Sequence, residues 1–391
     1  MLPKFKRLTL PLAALMASIG IDMAAAEPGV TADKIIFGQS TALGGPASAL
    51  GQGMQAGIMA AFEEANRAGG VAGRQLMLKS YDDGYEPDKA INNTRKLINQ
   101  DRVFALIGEV GTPTSKAAQP IATEAKVPFI GPFTGAGFLR DASLGNIVNY
   151  RATYAQETEA WIKHLTEDLG HERIAILYQD DSFGRVGLAG VQKALEKRGM
   201  SLVAEGTYKR NTTAVKSAVL KIRKANADSV VMVGAYKPIA AFVKLAKKTG
   251  IDATFVNISF VGSKALAEEL GKDGAGVVVT QVVPFPWDRS IPVVANYQDA
   301  LRAMDPGAEP GFVSLEGYLV GRLTIDVLEK MGGSVTRQDF MKTVEALGRF
   351  SLGGVDLAFG PGDNQGSDEV FLTVIQSDGS FRAVDRLSPT S

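Results

Sequence analysis

The sequence predicts an α/β protein made of two similar lobes with mainly parallel sheets, and three observations carry that expectation. From Asp33 onward, short β-branched runs alternate with longer stretches of helical period. The alternation starts afresh after Asn149. Each cycle also sets two aspartates behind a strand ending in tyrosine, in Tyr81-Asp82-Asp83-Gly84-Tyr85 and Tyr178-Gln179-Asp180-Asp181-Ser182-Phe183. The last sign is the weakest, because acidic residues commonly close strands and open turns.

In the first cycle, strands are expected over Ile35–Ser40, Gln75–Tyr81, Val103–Glu109 and Val127–Gly131, with helices near Gly53–Ala68, Pro87–Gln100 and Ser115–Ala125. Met54, Ile58, Ala61, Phe62 and Ala65 recur at the three- and four-residue spacing of one buried helix face. The second cycle predicts strands over Arg173–Tyr178, Ser201–Gly206, Ser229–Gly234, Thr254–Ile258 and Gly276–Val283. Helices are expected between them near Gln156–Leu169, Gly187–Arg198, Thr213–Ala225, Ile239–Thr249 and Lys264–Leu270. Pro284-Phe285-Pro286-Trp287 then ends sheet pairing and suits a crossover between lobes. Three helices follow without an intervening strand, Val294–Met304, Ser314–Met331 and Thr336–Leu347. Successive helices cannot continue a parallel sheet, so they are expected to pack back onto the first lobe. Val355–Phe359, Val370–Gln376 and Phe381–Val384 alternate like antiparallel strands, with Ser377-Asp378-Gly379-Ser380 as a hairpin turn.

The start of the chain has a different character. Lys4, Lys6 and Arg7 precede an apolar stretch from Leu8 to Ile21, and Ala24-Ala25-Ala26 offers a small-residue cleavage site before Glu27, so residues 1–26 read as a secretory signal peptide. The stretch is broken by Pro11 and is shorter than the roughly 20 residues a spanning helix needs. An uncleaved N-terminal anchor is the plainer alternative. The whole chain of 391 residues balances 42 basic against 42 acidic residues; after Ala26 the count is 39 against 41. That mild acidity suits a freely diffusing periplasmic protein and argues against a nucleic-acid partner, which needs clustered Lys and Arg. The absence of cysteine excludes a disulfide scaffold, a thiolate metal site and a cysteine nucleophile. His164 and His171 are the only histidines, and both fit helix-surface or helix-end positions better than catalysis.

Several segments invite chemistry. Gly51, Gly53 and Gly57 open a helix behind a strand, but their spacing departs from the G-x-G-x-x-G dinucleotide fingerprint and the loop from Ser40 is too long for a phosphate turn. Neither a P-loop nor a G-x-S-x-G elbow occurs. Gly108-Glu109-Val110-Gly111-Thr112-Pro113-Thr114-Ser115 is more informative. Thr112 before Pro113 suits an N-cap and first helical residue, so amides, the Thr112 and Thr114 hydroxyls and a positive helix end together make a carboxylate-capture site, while an ordinary capped helix is the plainer alternative. Pro132-Phe133-Thr134-Gly135-Ala136 lies just beyond a neighbouring strand end, where doubly wound sheets bind ligands; Thr134 adds a hydroxyl and Phe133 an apolar wall. The Asp82/Asp83 and Asp180/Asp181 pairs suit turns and helix caps better than acid–base or metal chemistry.

The stretch from Ser40 to Asp83, with Asn66, Gly69-Gly70-Val71, Gly73-Arg74 and the paired aspartates, followed by GTPTS and PFIGPFTGA, resembles the leucine/isoleucine/valine-binding solute receptors of ABC importers. The resemblance runs over essentially the whole chain after the signal segment. It implies a type I periplasmic binding protein fold, two doubly wound parallel-sheet lobes joined by three crossovers near Tyr150-Arg151, Val283–Pro286 and Gly353–Pro361. Lobe one would comprise 27–150 plus 285–355, and lobe two 151–284 plus 356–391. The resemblance places a ligand carboxylate on Gly111, Thr112, Thr114, Phe133, Thr134 and Gly135, with Leu50, Phe183 and Tyr236 on the opposite side of the cleft. The acidic residue that meets a ligand ammonium in amino-acid binders corresponds to Ser259 here. Either Asp180, Asp181 or Glu109 takes over that role, or the ligand carries no amine, since an unpaired buried charge costs several kcal/mol. Tyr85 and Gly111 occupy the positions of a lobe-one disulfide, so both cysteines are missing together.

The expected function is therefore capture of a small carboxylate by hinge closure and delivery to a membrane ABC permease. The ligand would be a branched-chain or other hydrophobic amino acid or a related organic acid. A monomer that needs no cofactor and makes or breaks no bond is expected. A ligand-sensing receptor partner of the same fold and an exported enzyme are the alternatives; the latter lacks a nucleophile–base constellation.

Overall fold

The computed structural model describes residues 27–388, and the expected signal segment lies outside them. The first lobe is built on strands Lys34–Thr41 (β1), Gln75–Asp82 (β2), Ala105–Ile107 (β3), Phe129–Ile130 (β4) and Ile147–Val148 (β5), all parallel, in the order β2-β1-β3-β4-β5. Helices Ser48–Arg67 (α1), Pro87–Asn99 (α2) and Thr112–Glu124 (α3) connect them. β5 went unforeseen because two buried residues leave no period to recognise.

The second lobe opens with helix Tyr154–Glu167 (α4), started by a capping box in which Thr153 accepts from the Gln156 amide and Gln156 accepts from the Thr153 amide. Strands Ile174–Gln179 (β6), Ala204–Tyr208 (β7), Ser229–Val233 (β8), Thr254–Asn257 (β9) and Val278–Gln281 (β10) alternate with helices Ser182–Glu196 (α5), Lys216–Ala225 (α6), Tyr236–Lys248 (α7) and Ser263–Leu270 (α8). β7 begins later than the expected Ser201. Reading from β7, the order is β7-β6-β8-β9-β10, so the two lobes repeat one winding.

The three late helices, Pro292–Met304 (α9), Phe312–Met331 (α10) and Arg337–Glu345 (α11), return to lobe one as expected. α10 crosses α1 at backbone contact. A Cβ on Gly57 would lie 1.9 Å from the Ser314 carbonyl oxygen, and one on Gly317 would lie 2.4 Å from that of Met54. The glycines of α1 thus serve helix packing, which leaves no room for the dinucleotide alternative. Strand Gly348–Leu352 (β11), unforeseen, pairs with Val355–Phe359 (β12) as a two-stranded ribbon, so β12 stands apart from the tail. The tail strands Phe371–Ile375 (β13) and Phe381–Val384 (β14) form the expected hairpin and add antiparallel to β10, making the second sheet mixed. Among the described residues no helix is long and apolar enough to cross a membrane.

Candidate binding cleft

In a sheet wound 2-1-3-4-5 the chain leaves β1 and β3 on opposite faces, so their carboxyl ends diverge and open a crevice. Both lobes place that point at the interface. The loops after β1 and β3 carry Leu50 and Gly111–Thr114, and those after β6 and β8 carry Phe183 and Tyr236.

The two lobe-one loops are zipped together. Val110 and Phe133 form a parallel bridge, the Phe133 amide donates to the Glu109 carbonyl at 2.7 Å, and the Gly111 amide donates to the Phe133 carbonyl at 3.2 Å. This brings the Thr112 and Thr134 hydroxyls to 2.7 Å from each other. Both are fully buried at the mouth of α3. The helix start differs by one residue from expectation: Gly111, with φ of 104°, is the cap and Thr112 the first helical residue. Thr114 is also placed differently. Its hydroxyl donates to the Val110 and Gly111 carbonyls, which commits it to the helix's own backbone and leaves Thr112 and Thr134 as the paired hydroxyls. Gly135 accepts from the Tyr154 amide at 2.8 Å, and a Cβ there would come 2.7 Å from the Tyr154 nitrogen, so glycine permits the close approach to lobe two. The Tyr85 ring fills the space beside Gly111, where a Cβ would meet Tyr85 Cε2 at 2.2 Å. The two positions that the resemblance links by a disulfide are thus in contact, with a ring in place of the bridge.

From lobe two, Phe183 and Phe260 pack at 4.7 Å between ring centroids, and Phe260 reaches across to Phe133 at 5.3 Å and Tyr85 at 5.8 Å. Leu50 sits against Gly262, and the Ala49 amide donates to the Tyr236 hydroxyl at 3.4 Å. Charged groups close the rim. Arg210 joins Glu86 of lobe one at 2.8 Å to Asp181 of its own lobe at 2.9 Å, and Asn211 donates to Glu86 at 2.7 Å and to the Gly84 carbonyl at 3.1 Å.

Ser259 lies at the end of β9 as expected, but its surroundings were not foreseen. Its hydroxyl meets both the Arg151 guanidinium and Glu157 Oε1, the latter at 2.9 Å, and its amide donates to Glu157 Oε2 at 2.9 Å. Arg151, Glu157 and Ser259 are buried, and Glu316 of α10 approaches Arg151 Nε to 3.7 Å. The carboxylates that one alternative put in place of an acidic Ser259 lie in other settings. Asp180 pairs with Arg185 at the surface, Asp181 caps α5, and burial pushes the Glu109 carboxyl well above the usual range. Arg140, lowered to about 9 by burial, donates to the Thr134, Ala136 and Arg151 carbonyls and so links the hydroxyl loop to the first crossover. Asp82 accepts from the amides of Leu43, Gly44 and Gly84, which is the turn role read for it. His164 pairs with Asp168 along α4 and His171 meets Ser229, both away from the cleft. Among the described residues no group of three or more His, Asp or Glu could hold a metal ion.

Arg151, Glu157, Glu316, Tyr154 and Phe260 escaped sequence reasoning. The one signal available was the crossover position of Arg151, where a charged residue at a buried hinge is unusual.

A family model for periplasmic binding proteins matches residues 34–380. The chain is 26% identical over 320 residues to the leucine-, isoleucine-, valine-, threonine-, and alanine-binding protein of Pseudomonas aeruginosa, covering 81% of this chain and 83% of that one. Among solved structures it is similar to one described as a possible leucine/isoleucine/valine-binding protein from Rhodopirellula baltica, at 38% identity, TM-score 0.87, covering 93% of this chain and all of that one. The fatty acid ABC transporter substrate-binding protein from Thermomonospora curvata shares the fold at 21% identity and TM-score 0.84, covering 92% and 93%.

Proposed function

The chain belongs to the periplasmic binding protein family, and we propose on that premise that it is the periplasmic substrate-binding component of an ABC importer, which captures a small organic carboxylate and delivers it to the permease. The observation that carries this is the Thr112–Thr134 hydroxyl pair, 2.7 Å apart at two adjoining strand ends and backed by the N-terminus of α3. Two paired hydroxyls beside a positive helix end, Thr134 also accepting from the Ala136 amide at 3.3 Å, are a preformed clamp for two carboxylate oxygens. Phe133, Phe183, Tyr236 and Leu50 supply an apolar enclosure for a hydrophobic body, in keeping with branched-chain amino acids and related acids. Closure brings lobe one (27–150 plus 285–355) onto lobe two (151–284 plus 356–391) about crossovers near Tyr150-Arg151, Val283–Pro286 and Gly353–Pro361. The protein acts as a monomer, needs no cofactor, and makes or breaks no bond.

Thermal-shift measurements with leucine, isoleucine, valine, their 2-oxo acids and benzoate test the proposal. A true ligand at about 100 times its Kd adds about 2.7 kcal/mol of stability. Thr112→Ala should weaken that ligand by about 1–3 kcal/mol. Unchanged affinity in the variant would remove the clamp, and turnover of any candidate ligand would overturn the non-catalytic assignment.

A further inference from the structure

The Arg151 guanidinium is fully buried where the chain first crosses between lobes. One nitrogen, Nη2, faces Ser259 Oγ and lies 3.4 Å from Glu157 Oε1. The other two, Nε and Nη1, have no hydrogen-bond partner. The group stands 4.9 Å from the centroid of the Phe133 ring and 5.7 Å from that of Tyr154, and the Tyr154 hydroxyl is itself without a partner. A buried cation with unmade N–H bonds is costly. A planar guanidinium is also the group best matched to a carboxylate.

The carboxylates nearby show the opposite condition. Glu157 has every acceptor position filled: Oε1 by Ser259 Oγ and Arg151, Oε2 by the Ser259 amide and by Thr280 Oγ1 at 2.5 Å. Asp181 accepts from the Phe183 amide, Gln179 and Arg210. Asp83 accepts from Ser40 and the Tyr85 amide. Only Glu316 keeps spare capacity beside Arg151, and burial, opposed by Arg151 itself, holds its carboxyl up at about 7. The cleft therefore offers unmet donors, while its two carboxyls with spare capacity, Glu316 and Glu109, are both pushed up by burial. A ligand ammonium entering here would face a guanidinium.

We propose that Arg151 is a ligand-contacting, specificity-determining residue whose unpaired N–H groups take the carboxylate of an acid that carries no ammonium, the aromatic rings of Phe133, Phe183 and Phe260 enclosing its body. This rests on the cleft being a carboxylate site and names which carboxylates it takes. Neutral hydroxyls and a helix end orient the anion, while Arg151 supplies the full charge that they lack.

Isothermal titration of the full protein with matched probes tests the assignment: 4-methylpentanoate against leucine, 3-phenylpropanoate against phenylalanine, and 4-methylpentanamide as the neutral control. At least tenfold tighter binding of an acid than of its amino counterpart is expected, with the amide inert. Arg151→Lys, which keeps the charge and loses the fork, should weaken the acid at least tenfold, and Glu316→Gln, which removes the carboxylate competing for Arg151 Nε, should tighten it. Leucine binding tighter than 4-methylpentanoate, lost in Glu316→Gln, would overturn the role of Arg151 and leave the carboxylate site standing. The amide binding as well as the acid, or no acid binding at all, would overturn the carboxylate site itself. Should Arg151→Lys fail to fold, the Glu316→Gln result and the acid-to-amine ratio still decide.

Discussion

Under the proposed closure of one lobe onto the other, the contact between Glu86 and Arg210 exists only while the cleft is shut, and its free energy enters the closing equilibrium. Removing Glu86 deletes a 2.8 Å ion pair and the 2.7 Å bond from Asn211. At an effective dielectric between that of a protein surface and water, the Coulomb attraction is about 1–4 kcal/mol. Glu86 is 42% and Arg210 21% exposed, so screening reduces the pair to about 0.5–1 kcal/mol net. The Asn211 bond to a charged acceptor contributes about 1 kcal/mol more. Glu86→Ala should then raise ligand Kd about 10- to 30-fold, because a less populated closed state lowers apparent affinity by the same factor. The assay is titration calorimetry of the wild type, Glu86→Ala, Arg210→Ala and the double variant, at low and high salt, alongside ligand-free thermal melts. Affinity should fall, the coupling between the two sites should shrink with salt, and ligand-free Tm should move little for Glu86→Ala. A ligand-free Tm drop with unchanged Kd would show that the pair stabilises the fold and plays no part in closure.

Two further outcomes follow from the packing and from a buried carboxyl. Gly57→Ala would push a methyl to 1.9 Å from the Ser314 carbonyl oxygen at the α1–α10 crossing; overpacking of about 1–3 kcal/mol or more should appear as a lower urea midpoint, and a loss below about 0.5 kcal/mol would mean the helices can part freely. Burial, partly offset by the Tyr85 amide and Ser40, raises the Asp83 carboxyl from 3.8 to about 6. The folded state thus holds this proton more tightly than the unfolded chain, so its contribution is fully present below pH 3.8 and is lost as pH rises through 6, amounting to at most about 3 kcal/mol. Asp83→Asn lacks that titration, so wild-type stability measured against the variant should fall between pH 4 and 7; a rise would reverse the sign assigned to burial.

The fold was legible because its signals are local. Alternation of strand and helix, the prolines after β10 and the hairpin turn of the tail each lie within a few residues, whereas the aspartate pairs follow strands that do not correspond, the edge strand β2 and the inner strand β6, so their recurrence is a turn preference and no sign of the repeat. β5 and β11 escaped for the converse reason. Two residues cannot display a period, and β11 exists only because β12 pairs with it. The two adjoining strand ends were legible for the same local reason, Gly, Thr and Pro at each, but the sequence reading joined Thr112 with Thr114, whereas Thr112 meets Thr134: whether a first-turn hydroxyl faces out or bonds back to its own helix depends on a rotamer that sequence does not specify.

The charged half of the cleft is non-local, and that is why it was missed. Arg151 meets Ser259 across 108 residues of chain and Glu316 across a still longer span. Sequence reasoning could see that a serine stood where a counter-charge for an ammonium was wanted, and it left two ways out. The structure narrows them by exhaustion. Asp180 is at the surface, Asp181 is a helix cap, burial pushes the Glu109 carboxyl well above its usual range, and Glu157, which does stand beside Ser259, has its acceptor capacity consumed by the protein's own donors. A saturated carboxylate contributes little to a further cation, whereas the Arg151 guanidinium, within ion-pair range of Glu157 and Glu316, still keeps Nε and Nη1 without hydrogen bonds, and such buried N–H groups favour an anion. If Arg151 takes the ligand carboxylate as proposed, selectivity between an acid and its amino counterpart is set less by the shape of the aromatic wall, where one group more or less is worth about 1–3 kcal/mol, than by which donors the protein leaves without hydrogen bonds.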